Sequence, residues 1–200
     1  MKNLLITIIS ILFGGFAQAD SKPYKGKFHQ IPGKIEAEHY DEGAPGMAYH
    51  DVDEKNHGAD YREVTQVDIE KRSDASNGHG IGWTRKGEWL NYTVDVNESG
   101  TYTIEMPVAS KKVGGLFVLE IKGKAICMPI HIPDTGGWDK LKLIECGNVN
   151  LAKGRHVIRV VMLAEGQSGS IGDIDYFKFT KKSSTSKASS ANTAPRPSKN

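Results

Sequence analysis

The sequence predicts an all-β fold, an antiparallel β-sandwich of the jelly-roll kind in a single domain. Three observations predict it. Apolar and polar side chains alternate with period two along several segments, which is the pattern of a half-buried strand. The segments are short and bounded by Gly, Pro, Asn or Asp. No convincing amphipathic helix interrupts them, so the apolar strand faces must bury against one another in two packed sheets.

Residues 1–19 read as a secretory signal peptide: Lys2, an apolar run from Leu4 to Phe16, then the small-x-small triplet Ala17-Gln18-Ala19. The run is too short to span a bilayer comfortably and nothing later is longer, which argues against a membrane partner. An exported protein follows, extracellular or periplasmic. Residues 20–33 form a lead-in and residues 34–181 the folded domain. Residues 182–200, made of Ser, Thr, Lys, Ala, Asn and Pro, offer almost nothing apolar to bury and read as a disordered tail or linker. Between these ends lie about 150 residues, the usual size of one core.

Trp89 to Val96 sets Leu90, Tyr92, Val94 and Val96 on one face and Trp89, Asn91, Thr93 and Asp95 on the other. Residues 97–100 turn the chain, and 101–108 bury Tyr102, Ile104 and Met106. Further strands are expected at 116–121, 125–132, 141–146, 156–163 and 174–180. Residues 41–60, rich in Gly and polar side chains, read as a long loop or insertion.

The 26 Lys and Arg against 24 Asp and Glu leave no clustered basic stripe, which argues against a nucleic-acid partner. Cys127 and Cys146 are the only cysteines; in an oxidising compartment they form either a disulfide or two buried thiols. No Gly-x-Ser-x-Gly elbow, His-Glu-x-x-His helix or phosphate loop is present, and the seven histidines show no metal-ligand spacing. Carboxylates are plentiful, so a glycosidase-type pair stays open.

Two constellations stand out. Strand alternation in Glu36-Ala37-Glu38 places both carboxylates on one face, roughly 7 Å apart. Asp173-Ile174-Asp175 repeats the arrangement near the other end. If the first and last strands are neighbours, Glu36, Glu38 and Asp175 could supply hard oxygen ligands for Ca²⁺; on spacing alone a solvated acidic strand edge is the more ordinary reading. The second constellation is aromatic. Trp89 falls on the polar side of its strand, Trp138 follows Gly136-Gly137, and Trp83 follows Gly80-Ile81-Gly82. An exposed indole with polar neighbours suits a sugar ring, whereas core filling is the ordinary role of a Trp in a sandwich.

Ile35-Glu36-Ala37-Glu38-His39-Tyr40, Ala48-Tyr49-His50-Asp51, Tyr61-Arg62, Val67-Asp68-Ile69-Glu70, Gly82-Trp83-Thr84, Gly87-Glu88-Trp89-Leu90, Gly100-Thr101-Tyr102-Thr103, Thr135-Gly136-Gly137-Trp138 and Asp175-Tyr176-Phe177 stand in one order and spacing. In this the chain resembles the family 6 carbohydrate-binding modules over residues 34–180. The resemblance implies a jelly roll with a structural Ca²⁺, held by Glu36, Glu38 and Asp175 side chains and the backbone carbonyl of His79. It implies a loop-end cleft in which Trp83 and Trp138 hold a sugar ring and Glu70 and Ser73 hydrogen-bond it. The family's asparagine at the base of that cleft is Asp173 here, which as a carboxylate accepts but cannot donate and disfavours acidic sugars. A second cleft on the concave sheet face would use Trp89 and Glu120.

The expected protein is therefore a monomeric, non-catalytic binder of polysaccharide or oligosaccharide, which would serve an attached glycan-degrading domain. A small glycoside hydrolase or lyase on the same sandwich, and a surface adhesion protein working through its tail, are the rival readings.

Overall fold

Alternation dictates the architecture. The computed structural model describes residues 21–58 and 61–183, so the predicted signal peptide (1–19) and nearly all of the predicted tail (182–200) lie outside the described residues. After a 3₁₀ turn at Tyr24–Gly26 come β1 (His29–Ile31), β2 (Gly33–Glu36), β3 (Tyr49–His50), β4 (Ile69–Lys71), β5 (His79–Ile81), β6 (Trp89–Val96) and β7 (Gly100–Ser110). They are followed by β8 (Leu116–Ile121), β9 (Lys124–Ala125), β10 (Ile130–His131), β11 (Gly137–Leu151), β12 (Gly154–Ala164), β13 (Asp173–Ile174) and β14 (Tyr176–Lys181).

Two sheets result. One runs β1-β6-β12-β8-β10, with β3 also on β6 and β9 also on β8; the other runs β2-β14-β7-β13-β5-β4, with β11 on the free side of β7. The core between them is closed by fully buried Tyr92, Tyr102, Phe117, Phe177 and Phe179, with Ile, Val and Met from every long strand. β2 and β14 pair antiparallel, Glu36 opposite Tyr176, so the first and last strands of that sheet are indeed neighbours.

Four details differ from the sequence expectation. β1 pairs parallel with β6 and buries Ile31 completely, so packing begins ahead of residue 34. The strand expected over 125–132 is two short pieces: Pro129 has no N–H to give the ladder, and both pieces lie along β8. The strand expected over 141–146 extends to fifteen residues because β7 offers it a partner along its whole length. β2 stops at Glu36, where a turn bonds His39 N–H to the Glu36 carbonyl at 3.0 Å, so Glu38 is not on the strand face shared with Glu36.

The long segment over residues 41–58 packs onto the edge of the first sheet. Asp41 accepts from Thr93 N–H (2.8 Å) and Thr93 Oγ1 (2.6 Å), and Tyr49 pairs with Leu90. The segment's own Asp51 is buried there with Asp68 and Glu88. Burial, with the charges of Asp51 and Asp68 adding, pushes Glu88 up to about 8; burial likewise raises Asp51 to about 6. An acid whose folded pKa exceeds its unfolded one holds its proton more tightly when folded. Its stabilisation is complete below the unfolded value of about 4 and is lost as pH rises through the folded value. Glu88→Gln is thus expected to flatten the fall in thermal midpoint between about pH 5 and pH 9. Identical pH profiles for the variant and the natural chain would contradict this.

Candidate functional site

At one end of the sandwich β4, the start of β11 and β13, with the turns after β5 and β12, enclose a cleft of about 290 Å³. Its lining includes Glu70, Trp83, Arg85, Trp138, Ser170 and Asp173. Four of the five residues expected there are present; Ser73 is not, being solvent-exposed beyond β4 and outside the lining.

Trp83 is presented by a local device. Its backbone adopts φ +48°, a left-handed conformation costly for a bulky side chain, and its residue surface is 48% exposed. The flanking residues impose this. Gly82 N–H bonds the Asp68 carbonyl at 3.0 Å, while Thr84 is buried, its hydroxyl donating to the Gly172 carbonyl at 2.6 Å and accepting from Gly172 N–H at 3.1 Å. With both neighbours clamped inward, the indole faces out. Trp138 starts β11 after Gly136 (φ +86°), in a turn pinned by Thr135, whose Oγ1 accepts from Ser110 N–H at 3.0 Å.

The floor rests on a residue that the sequence reading missed. The side chain of Arg72, 2% exposed, lies beneath the cleft. Its Nη1 donates to Glu70 (2.7 Å) and Asp173 (2.9 Å), its Nε and Nη2 grip Asp74 (3.0 and 2.9 Å), and Nη2 also donates to the Trp138 carbonyl (2.6 Å). Buried Asp173, with Glu70 beside it, needs a cation at that floor, but only the fold brings Asp173 and Arg72 together. Burial, with Glu70 adding and Arg72 opposing, holds the Asp173 carboxyl up at about 8. The Arg72 Nη1 donor on Asp173 Oδ2 at 2.9 Å opposes that rise and engages the group as an acceptor. Gly82 completes the floor, since a Cβ there would meet Asp173 Oδ1 at 3.1 Å and Glu70 Oε2 at 3.6 Å.

A second groove, about 510 Å³, runs along the outer face of the first sheet. Glu120 lines it, as do Asn91, Arg155 and Arg159. Trp89 does not: the Arg159 guanidinium lies 3.8 Å over its ring, so the expected stacking platform is already covered.

Comparison with known proteins decides the family. The carbohydrate binding module (family 6) profile matches residues 57–181. The chain belongs to this family. The module is 30% identical over 123 residues to the clotting factor G alpha subunit of Tachypleus tridentatus, covering 60% of this chain and 17% of that protein. It is 34% identical over 64 residues to β-agarase AgaA of Microbulbifer thermotolerans, covering 32% and 14%. It thus spans under a fifth of either curated relative. Among solved structures, the carbohydrate binding module from Cellvibrio mixtus lichenase 5A, in complex with cellotriose, superposes with TM-score 0.56 at 25% identity, over 76% of this chain and 99% of that one.

The acidic corner expected to hold calcium lies where β2, β5 and β14 meet, with Glu36 and Glu38 ahead of the matched residues. Ser76 Oγ donates to Glu36 (2.7 Å) and Asp175 (3.2 Å), and Asn77 Nδ2 to Glu38 Oε1 (2.5 Å). Asp175 is locked by Ala37 N–H to its carbonyl at 2.9 Å. His79 opens β5 two residues after Asn77, its N–H on Asn77 Oδ1 at 3.3 Å and its ring stacked 4.6 Å from Tyr61. As placed, no three His, Cys, Asp or Glu side chains among the described residues close on a metal by themselves. The donor chemistry nevertheless fits a hard cation: Glu38 is fully buried, its Oε2 has no hydrogen-bond partner, and burial raises its carboxyl to about 7. A buried acid with an orphaned oxygen beside two other carboxylates is a group awaiting a positive charge.

Cys127 and Cys146 are free thiols, each half-buried against the core, and burial together with Cys127 raises Cys146 to about 12.

Proposed function

We propose that this protein is a secreted, monomeric, non-catalytic module that docks on neutral cell-wall or algal glycan through its loop-end cleft. One observation carries the reading: Trp83 is forced outward on left-handed backbone, beside Trp138 and above a floor of Glu70 and Asp173. A pyranose stacks its C–H faces on indole while its hydroxyls reach directional partners, and a floor with two carboxyl groups selects against acidic sugars. Glu70 and Asp173 share Nη1 of one buried arginine, an arrangement that anchors them as floor groups and leaves neither free to act as the flanking acid of a glycosidase. The agarase and lichenase among the relatives favour plant or algal wall polysaccharide, and the shallow site suits weak single-site affinity, made useful by attachment to a glycan-degrading domain.

Affinity electrophoresis against agarose, xylan and mixed-linkage β-glucan, run beside an assay for new reducing ends, tests this. Retardation by at least one neutral polymer without bond cleavage is expected. Cleavage products, or no retardation by any neutral glycan, would overturn it.

The same reading includes a structural Ca²⁺ held by Glu36, Glu38, Asp175 and the His79 carbonyl. When bound, the ion neutralises the acidic corner and ties β2 to β14. Millimolar calcium is expected to raise the thermal midpoint of the natural chain, chelator to lower it, and Glu38→Gln to abolish the response. A midpoint indifferent to both additions counts against the site.

A further inference from the structure

Along one side of the sandwich each sheet ends in its own edge. The first sheet ends in β9 and β10, both paired to β8, and the second ends in β11, paired to β7. Cys127 stands between β9 and β10, and Cys146 stands in β11, so the only two cysteines of the chain belong to opposite sheets.

Both side chains point the same way, toward the gap between the sheets. Cys127 and Cys146 are half-buried and pack on the core with Ile126 and Ile144, whereas their neighbours Met128 and Glu145 are exposed. Each is carried on fixed backbone: Ile126 N–H donates to the Leu119 carbonyl at 2.9 Å, and Cys146 sits in register opposite Ile104. The Cys127 thiol acts on Cys146 by charge and by a side-chain hydrogen bond, which places the two sulfurs side by side. Two thiols that meet without any movement of the backbone satisfy the first demand of a disulfide, and half-burial leaves them open to a small reagent.

We propose that Cys127 and Cys146 are a disulfide-forming pair, a covalent staple between the two sheets that closes on exposure to a small-molecule disulfide of the oxidised glutathione class. The structure shows the pair reduced. In the closing reaction the thiolate of one cysteine attacks the oxidant and expels one small thiol; the thiolate of the other then attacks the mixed disulfide and expels the second. One disulfide is reduced to two small thiols, two protein thiols become one disulfide, and their two protons end on the departing thiols. The ring so closed spans residues 127–146 and contains β10, the Thr135–Trp138 turn and the first part of β11. The staple therefore also tethers the loop that carries Trp138. The proposal does not rest on the glycan reading, because sulfur chemistry and stability report on it directly.

The test places the natural chain in glutathione buffers from fully reduced to fully oxidised and reads thiol content after denaturation, intact mass and thermal unfolding. In oxidised buffer both thiols should disappear and the mass should fall by two hydrogens, with no glutathione attached and no second chain linked. Closing a ring of this size should raise the thermal midpoint by roughly 6–12 °C. A Cys127→Ala/Cys146→Ala variant should unfold at one temperature in every buffer. Thiols that persist in oxidised buffer, a glutathione adduct that never resolves, or disulfide-linked dimers would each overturn the proposal. So would an intrachain bond that lowers the midpoint, since it would join sulfurs that the native fold holds apart.

Discussion

Trp83→Ala and Trp138→Ala are each expected to weaken binding of a neutral glycan about thirtyfold, the effect of removing an aromatic anchor worth about 2 kcal/mol from the centre of a small site. The loss of affinity should come without loss of fold in the case of Trp83, because the indole is 48% exposed and fills no part of the core. Trp83→Gly sharpens the test. Glycine accepts φ +48° without strain, so this variant should lose binding equally while its thermal midpoint rises by a few degrees, the return of roughly 1 kcal/mol of backbone strain. Equal affinity for glycan in the natural chain and in both alanine variants would remove the cleft from consideration.

The second large effect is expected beneath the cleft. Arg72→Met should destabilise the module by about 3–5 kcal/mol, because it leaves buried Asp173 without its cation. Urea unfolding reads the cost directly. The double variant Arg72→Met/Asp173→Asn removes the most buried of the stranded carboxyls and should recover part of it, the two sites being in direct contact and hence strongly coupled. Arg72→Lys should fall between, since an ammonium cannot serve three carboxylates and the Trp138 carbonyl in one plane. An Arg72→Met variant as stable as the natural chain would show that the network is ornamental.

Sequence periodicity reached most of the sandwich because it reports burial. Residues 89–96 alternate and 116–121 are almost continuously apolar, and both form strands with those bounds, whereas residues 137–151, where the pattern is broken by polar residues on both faces, pair along β7 through backbone bonds that leave no trace in side-chain type. The pairing of Trp83 with Trp138 came from the family resemblance; glycines before each marked only a loop, and at Trp83 the outward turn is made by its own backbone at φ +48°. Arg72 was not, since a charged side chain two positions from Glu70 reads as surface until Asp173, far along the chain, is brought against it. Trp89 shows the converse: its place on the polar face was correct, yet only the register of β12 on β6 reveals that Arg159 occupies its ring. Glu38 was assigned to the calcium corner on the wrong geometry, a strand that in fact ends at Glu36.

One guanidinium grips the Trp138 wall, through its carbonyl, and the Glu70 and Asp173 floor. Wall and floor are consequently one rigid part, set to width before any sugar arrives. On the proposed function, little protein freedom would remain to be surrendered on docking, and discrimination among glycans would fall to the fit of the ring itself rather than to yielding loops.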